Sequence, residues 1–454
     1  MLSRIGAGET LIRINENAEL EPALAESWEQ TDDNTWVFHI RKDVRFSNGT
    51  PVDAEACKNA IQRAYDTNSR APEYFALESM TADGQDLTIV TSKPCGALTS
   101  NLCEPLFTII DTTQPAETLA TAPVCTGPYV ITAFTPEASV ELSKNADYWD
   151  GEGGLDTISV VQVADSDSRV LAMQSGEADL TTTIDNSNLA LFTDTSKYTI
   201  SEVLGPRCNV IYMNNKTGFC SDIVIRKALS TAIDRQTYAG LISGETATGL
   251  YSSALACGTG VTGYTYDTAA ANKLLDDAGY LDTNGDGIRE KGGQPITLKY
   301  YLAADHGSSD SGIIAQSVQA DAAKVGIRIE LVQAENLSDI KKSGSFDLVS
   351  ANDSTAPTAD PEVFLVNHYL TGAAGNYGGY SNAKVDESVA ALATIFEPGA
   401  RQDAARAINQ LIVDDAANLY ISYIKGNTVS AAKVENAVQF PIDYYIITKD
   451  ITIK

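Results

Sequence analysis

The sequence predicts an α/β protein with a strand-rich first third and an open sheet in its second half. From about residue 207, segments of strand and helix character alternate over roughly 200 residues, as expected for a sheet covered by helices. Hydrophobic residues make up 43% and charged residues 20% of the 454 residues. This globular composition excludes disorder, collagen and coiled coil as descriptions of the whole chain.

Apolar periodicity and capping residues predict the individual elements. The elements expected in the first part are strands over 36–41, 87–90 and 157–163 and helices over 54–64 and 169–176. Those expected further on are helices over 221–238, 267–279, 312–324, 383–395 and 399–417 and strands over 298–302, 327–332, 346–351 and 419–424. Asp53, Ser221 and Asp267 are the expected N-caps, and Gly279 is an expected left-handed helix end.

The charge balance restricts the partners of the protein. Asp and Glu number 60 against 32 Lys and Arg, which gives a net charge of −28. A nucleic-acid binder needs a basic surface, so a nucleic-acid partner is excluded. No apolar stretch in the sequence is long enough to span a bilayer. The seven cysteines are expected either as buried thiols or, in an oxidising compartment, with disulfides such as Cys95–Cys103 or Cys220–Cys257.

The sequence contains no P-loop, no complete dinucleotide-binding loop, no H-E-x-x-H and no nucleophile elbow. Its histidines are His39, His306 and His368. We therefore expect no enzyme, although a hydrolase with an unrecognised carboxylate or cysteine constellation stays open as a second class. An adhesion or structural surface protein is a third.

The loop at 282–290 has the oxygen-ligand spacing of a calcium loop. The candidate ligands are Asp282, Asn284, Asp286, the carbonyl of Ile288, and Glu290. Gly293 stands where such loops carry a bidentate glutamate. The alternative is a polar turn between a helix and a strand, and a calcium ion here would stabilise the fold without catalysing a reaction.

Four groups of segments occur in order along nearly the whole chain. They are PALAESW and TWVFHIRKDVRFSNGTPVDAE at 22–28 and 35–55, TGPY and NADYWDG at 126–129 and 145–151, QSGEADL at 174–180, and DP, NYGGYSN and VD at 360–361, 376–382 and 385–386. Together they resemble the extracytoplasmic solute-binding proteins of ABC transporters, in the peptide/nickel class of family 5.

The resemblance implies a two-lobed periplasmic-binding-protein-like fold (type II, cluster C), with an extra subdomain in the first lobe and a cleft between the lobes. The implied parts are lobe I over 1–206 with the subdomain at about 15–150, lobe II over 207–423, and a return to lobe I over 424–454. Family members usually start with a further strand before Gly6, which is absent here, as if the sequence were cut short. The start of the sequence by itself is compatible either with a cytoplasmic protein or with a signal segment that has been removed.

The implied function is capture of a small peptide-like ligand by closure of the lobes and delivery to an ABC transporter permease. The alternative ligand is a complex of nickel, or another transition metal, with a chelator. The resemblance further implies a monomer without catalysis or resident cofactor. It implies an extracytoplasmic location, with a lipid anchor in the full-length precursor.

The resemblance leaves the ligand open between these two classes. Peptide-binding members usually hold the peptide amine with an aspartate three residues before the Asp-Pro. That position is Pro357 here, so the nearby Asp353 and Thr355 are the candidate contacts. Arg207, at the expected crossing between lobes, either clamps a ligand carboxylate or ties the crossing to a neighbouring aspartate.

Nickel-type members use arginines for the chelator carboxylates and a histidine for the metal. Arg70 matches one arginine, whereas Glu104 and Phe107 stand at the candidate positions of the other. His368 is a candidate metal ligand or a polar loop residue, because it lies nearer to the Asp-Pro than the family histidine does. Further candidate contacts are Arg4 and Glu9, from the segment that lines the family's cleft, and Asn376 and Tyr377, in a glycine-rich loop that faces the cleft or shapes a turn.

Overall fold

A computed structural model describes residues 1–303 and 309–454 and divides the chain into two units. Unit 1 comprises Met1–Val203, Pro357–Asp360 and Gly426–Lys454, and unit 2 comprises Leu204–Ala356 and Pro361–Lys425. The lobe limits expected at residues 206 and 423 lie within a few residues of these bounds. His306 lies outside the described residues.

The strands, in chain order, are β1 (Ile12–Ile14), β2 (Leu20–Pro22), β3 (Ala25–Asp32), β4 (Thr35–Ile40), β5 (Leu77–Asp83), β6 (Asp86–Thr91), β7 (Tyr129–Thr135), β8 (Ser139–Lys144), β9 (Thr157–Val161), β10 (Leu180–Thr182), β11 (Tyr198–Met213), β12 (Glu245–Thr246), β13 (Glu290–Lys291), β14 (Gln294–Pro295), β15 (Thr297–Ala303), β16 (Arg328–Ala334), β17 (Leu348–Ser354), β18 (Asn418–Ala431), β19 (Val434–Glu435) and β20 (Thr452–Ile453). The α-helices are α1 (Ala54–Thr67), α2 (Ala71–Tyr74), α3 (Leu98–Asn101), α4 (Ala116–Thr121), α5 (Ser166–Ser175), α6 (Ile223–Ala232), α7 (Arg235–Leu241), α8 (Thr268–Asp277), α9 (Ser309–Ala323), α10 (Leu337–Ser343), α11 (Glu362–Tyr369), α12 (Ala383–Leu392) and α13 (Pro398–Asp414).

Unit 1 contains a four-stranded and a three-stranded antiparallel sheet, in addition to the two-stranded antiparallel sheets β1-β2 and β19-β20. The first has the order β3-β4-β6-β5 and buries Phe38, Leu87 and Ile89. Helix α1 packs against β5 and β6, and the Asp53 carboxylate accepts a hydrogen bond from the N–H of Ala56 as its N-cap, as the sequence predicts. The second sheet has the order β7-β8-β9.

Unit 2 contains an open sheet in the order β18-β11-β17-β15-β16. Strand β15 pairs in parallel with both β16 and β17, and β11 pairs antiparallel with β17. Because side chains alternate between the two faces of a strand, the sheet has two apolar faces. One packs on α6, α8 and α9, and the other carries Tyr212, Phe346 and Val349 with Leu337 and Ile340 of α10.

The segment expected as one helix over 221–238 forms two helices, α6 and α7. Asp222 and Asp234 each accept a hydrogen bond from a backbone N–H in the first turn of the helix that follows. Two strong N-caps in succession start two helices, and Ser221 is therefore not the cap that the sequence suggested.

Helices α10 and α11 and the end of strand β17 are among the elements that the sequence did not predict. Along the chain, helix α10 precedes strand β17 and helix α11 follows it. Strand β17 runs to Ser354 and so extends beyond the strand expected over 346–351. These three elements carry the polar cluster described below.

Within the described ranges, every helix is too short or too polar to cross a bilayer. All seven cysteine side chains are buried as thiols, one of the two expected arrangements. Burial raises the pKa of several of them, so little reactive thiolate is present at neutral pH. The thiols with raised pKa are Cys57, Cys103, Cys125, Cys208 and Cys220.

Candidate functional site

The carboxyl edge of the parallel strands in unit 2 is the kind of position where open α/β sheets bind ligands. Strand β15 lies between β16 and β17, and the helices that follow β15 and β16 pack on opposite faces of the sheet. The strand order therefore reverses at β15, and open sheets typically bind ligands outside the carboxyl ends of the strands at such a point. Asp353 is the penultimate residue of β17 and lies at this edge.

Tyr212, on the neighbouring strand β11, holds the Asp353 carboxylate. The Tyr212 hydroxyl donates to Oδ2 of Asp353 at 2.5 Å and lies 3.3 Å from Nδ1 of His368. Tyr212 is 2% exposed, and burial, together with the charge of Asp353, raises the pKa of its hydroxyl well above the ordinary value. Tyr212 is therefore a permanent donor to a carboxylate that is itself partly exposed.

His368, in the last turn of α11, has aromatic neighbours. Its ring stacks on Phe364 with 4.2 Å between centroids and meets Tyr377 edge-on at 6.0 Å. Burial lowers the pKa of His368 below its ordinary value of 6.5, and the charge of Asp353 opposes this effect. The imidazole is therefore neutral at about pH 7, and a neutral imidazole is the form that binds metal ions.

Three residues singled out in the sequence thus come together in unit 2, namely Asp353, His368 and Tyr377. Sequence reasoning missed two of their neighbours, Tyr212 and Lys341. Tyr212 lies in the continuous apolar run over 210–213 and looks like a core residue, and Lys341 lies on α10, for which no helix was predicted. The helix could have been found from its caps, since the side chain of Asn336 caps its start and Gly344 ends it in the left-handed conformation.

The remaining candidates of unit 2 have different surroundings. Arg207 is exposed on β11. Thr355 is 0% exposed, and its hydroxyl donates to two backbone carbonyls, so the expectation that it contacts a ligand is not supported. The side-chain amide of Asn376 forms hydrogen bonds with three backbone groups of its own loop, which matches the alternative that it shapes a turn.

In unit 1, Arg70, Glu104 and Phe107 lie in one cluster near Tyr74. Nη2 of Arg70 donates to the Tyr74 hydroxyl at 2.9 Å, and the Tyr444 hydroxyl donates to the Glu104 carboxylate. Phe107 is 1% exposed and packs edge-on against the Tyr74 ring at 5.9 Å. Phe107 is therefore a core residue, and its burial does not support the expected ligand contact.

A cavity of about 400 Å³ lies within unit 1 between its N-terminal and C-terminal segments, and Glu9 lines it. The Glu9 carboxylate accepts hydrogen bonds from the Tyr148 hydroxyl at 2.8 Å and from Nε1 of Trp149 at 3.1 Å. Burial raises the pKa of Glu9, and these two donors oppose the effect. Both carboxylate oxygens are thus already engaged by the protein. Arg4, the other candidate contact from this segment, forms an ion pair in which its Nη2 lies 2.6 Å from Oδ2 of Asp443.

The loop at 282–290 folds as a series of tight polar turns. The side-chain oxygens expected as calcium ligands accept hydrogen bonds from groups of the loop itself, and the N–H of Ile288 donates to one of them. The acceptors are Asp282, Asn284, Asp286 and Glu290. Among residues 1–303 and 309–454, no group of three or more His, Cys, Asp or Glu side chains is arranged to hold a metal ion. The structure therefore gives the calcium expectation no support.

Comparison with known proteins places these features in context. A family model described as "Bacterial extracellular solute-binding proteins, family 5 Middle" matches residues 19–376. The chain is 28% identical over 455 residues to the nickel-binding protein NikA of Staphylococcus aureus, covering 99% of this chain and 90% of the relative. It is 25% identical over 423 residues to the probable D,D-dipeptide-binding periplasmic protein DdpA of Escherichia coli, covering 89% and 79%.

A solved structure gives a similar match. The crystal structure of NikA from Staphylococcus aureus in complex with Ni(L-His)2 has a TM-score of 0.83 at 27% identity, covering 100% of this chain and 95% of that chain. The similarity therefore extends over both units of the chain.

Proposed function

Since this chain belongs to the bacterial extracellular solute-binding proteins of family 5, we propose that it captures a small peptide-like ligand and delivers it to an ABC transporter permease. Proteins of this family bind solutes for transport and are not enzymes, so the hydrolase alternative no longer applies. The observation that carries the proposal is the Asp353–Tyr212 pair at the carboxyl edge of the sheet in unit 2. A partly exposed carboxylate held by a fixed donor is suited to bind the ammonium group of a peptide.

A second candidate ligand is a nickel–chelator complex. It is favoured by the position of His368, whose neutral imidazole lies 3.3 Å from the hydroxyl that holds Asp353. The similarity to nickel-binding proteins of Staphylococcus aureus and Escherichia coli supports the same candidate. In this case His368 binds the metal ion. The ligand contacts predicted for Arg4, Glu9, Arg70, Glu104 and Arg207 stay predictions in either case.

Native mass spectrometry of the purified protein, before and after mild denaturation, tests the proposal. A released peptide supports the first ligand, and a mass that contains nickel supports the second. Protein without ligand is then offered unblocked tripeptides, or Ni(II) with L-histidine, in equilibrium dialysis.

Variants assign the binding residues. Asp353→Asn should abolish retention of peptide but not of the nickel complex, whereas His368→Gln should do the reverse. Asp282→Asn, on an exposed loop, is the control for the loss of one acidic group. If both site variants keep the wild-type ligand, this cluster is not the binding site.

We also propose that the protein acts as a monomer and that its full-length precursor is lipid-anchored. Light scattering after size-exclusion chromatography tests the first point. Membrane fractionation of cells that express the precursor, with and without detergent, tests the second.

A further inference from the structure

Lys341 lies beside the polar cluster of unit 2. Its ammonium group, in the last turn of α10, is 5.8 Å from the ring centroid of Tyr212 and 5.9 Å from that of Tyr377. Within the described part of the chain Lys341 forms no ion pair, and the charge of Asp353 acts on it at longer range. Lys341 is therefore a partly buried cation next to two aromatic rings.

Three other partly buried lysines among the described residues contact a carboxylate. The side chains of Lys58, Lys144 and Lys449 are 27%, 28% and 29% exposed, and their ammonium groups lie 2.6, 2.8 and 2.9 Å from a carboxylate oxygen. A cation that loses water is destabilised unless a counter-charge replaces the solvent. Burial accordingly lowers the pKa of Lys341, and the two rings compensate in part through cation–π attraction.

The described charges around Lys341 indicate which kind of ligand could pair with it. Asp353 already receives the Tyr212 hydroxyl and is partly exposed, so its carboxylate remains available at the surface rather than closing on Lys341. The two opposite charges thus lie against the same tyrosine without forming an ion pair. A ligand with one group of each sign can satisfy both.

We propose that Lys341 binds a carboxylate of the transported ligand while Asp353 binds its ammonium group. The inference rests on the proposed function and narrows the ligand to an unblocked amino acid or short peptide, which carries both charges. A ligand whose carboxylate is converted to an amide cannot supply the counter-charge of Lys341. Since a charge-assisted hydrogen bond contributes more than a neutral one, the free acid should bind about tenfold or more tightly than the amide.

The test uses one tripeptide library, composed of all combinations of Ala, Leu, Ser and Lys, prepared both as free acids and as C-terminal amides. Equilibrium dialysis followed by mass spectrometry gives the ratio of free acid to amide that the protein retains. The proteins are wild type, Lys341→Gln, Lys341→Arg and the matched control Lys342→Gln. Lys342 is the next residue of the same helix and is exposed. Circular dichroism establishes that each variant is folded.

The expected result is a clear preference of wild type and Lys342→Gln for free acids, no preference in Lys341→Gln, and a restored preference in Lys341→Arg. A structural role of Lys341 would weaken binding of both forms without changing their ratio. Equal binding of acids and amides by wild type overturns the inference and leaves the proposed function standing, and so does an unchanged ratio in Lys341→Gln. If wild type retains neither form, the peptide proposal itself fails and the inference with it.

Discussion

Replacing Tyr212 by phenylalanine removes one hydroxyl group from the centre of the unit 2 cluster and leaves the ring in place. The hydrogen bond to Asp353 at 2.5 Å and the weaker contact with His368 at 3.3 Å are lost. The edge-on contact with Tyr377, at 5.7 Å between centroids, is kept. The substitution therefore isolates the polar contribution of Tyr212 from its packing.

The size of the effect follows from the partners of the hydroxyl. A hydrogen bond to a charged group contributes about 1.5–3 kcal/mol to the free energy of unfolding. Because Asp353 is partly exposed, water can replace the lost donor, so we expect the lower value, about 1.5 kcal/mol. For a unit of about 200 residues this lowers the unfolding midpoint by about 3–6 °C.

Differential scanning calorimetry of wild type, Tyr212→Phe, Asp353→Asn and the double variant measures this effect. In the Asp353→Asn background, Tyr212→Phe should lower the free energy of unfolding by about 1 kcal/mol less than it does in the wild-type background. The control is Tyr300→Phe, which removes a buried hydroxyl that accepts a hydrogen bond from Ser350 and lies on the opposite face of the sheet. The loss of unfolding free energy caused by Tyr300→Phe should add to the loss caused by Asp353→Asn. An unchanged midpoint for Tyr212→Phe, or simple additivity with Asp353→Asn, would refute the reasoning.

Three further outcomes are expected. Gly378→Ala places a Cβ 2.3 Å from the carbonyl oxygen of Met213 and should lower the stability of unit 2 by about 2 kcal/mol or more in thermal unfolding. Its control is Gly312→Ala in helix α9, whose added Cβ meets no atom of the described residues within 4 Å and should leave stability unchanged or raise it. The buried cysteines should react slowly with Ellman's reagent in the native protein and all seven rapidly after unfolding; one fast native thiol would contradict their burial. Burial lowers the pKa of His368 below 6.5, so as the pH falls the unfolded chain takes up this proton first. The resulting loss of stability begins below about pH 6.5 and grows until the pH reaches the lowered pKa of the folded protein. Wild type should therefore lose more stability than His368→Gln between about pH 7 and 5, and parallel unfolding curves for the two proteins would contradict this.

Elements with a regular pattern and a strong cap could be predicted from the sequence. Strands β4 and β15 alternate clearly, and Asp53 caps α1 as expected. Helix α11 could not be predicted in this way, because the buried residues of its short apolar run do not form one face. Helix α10 has seven residues and no buried position, so its apolar periodicity is weak and its caps are the usable signal.

The candidate site was predictable only in part for the same reason. The family motifs led to Asp353 and His368, which occur near the Asp-Pro in the sequence. They also led to Phe107 and Thr355, which the structure buries. A motif identifies a segment, but whether a side chain in it is exposed depends on what packs against that segment.

Composition, the strands and helices with a regular pattern, the absence of catalytic motifs and the family were determined by the sequence alone. Each of these depends on residue identity or on periodicity along a short stretch of chain. Tertiary structure decided that Tyr212 holds Asp353 and that Lys341 lies against Tyr212 and Tyr377, where it forms no ion pair with any residue that the structure describes. Such contacts depend on the register of β11 against β17 and on the face of the sheet that α10 covers. These are relations between distant parts of the chain, and local patterns do not encode them.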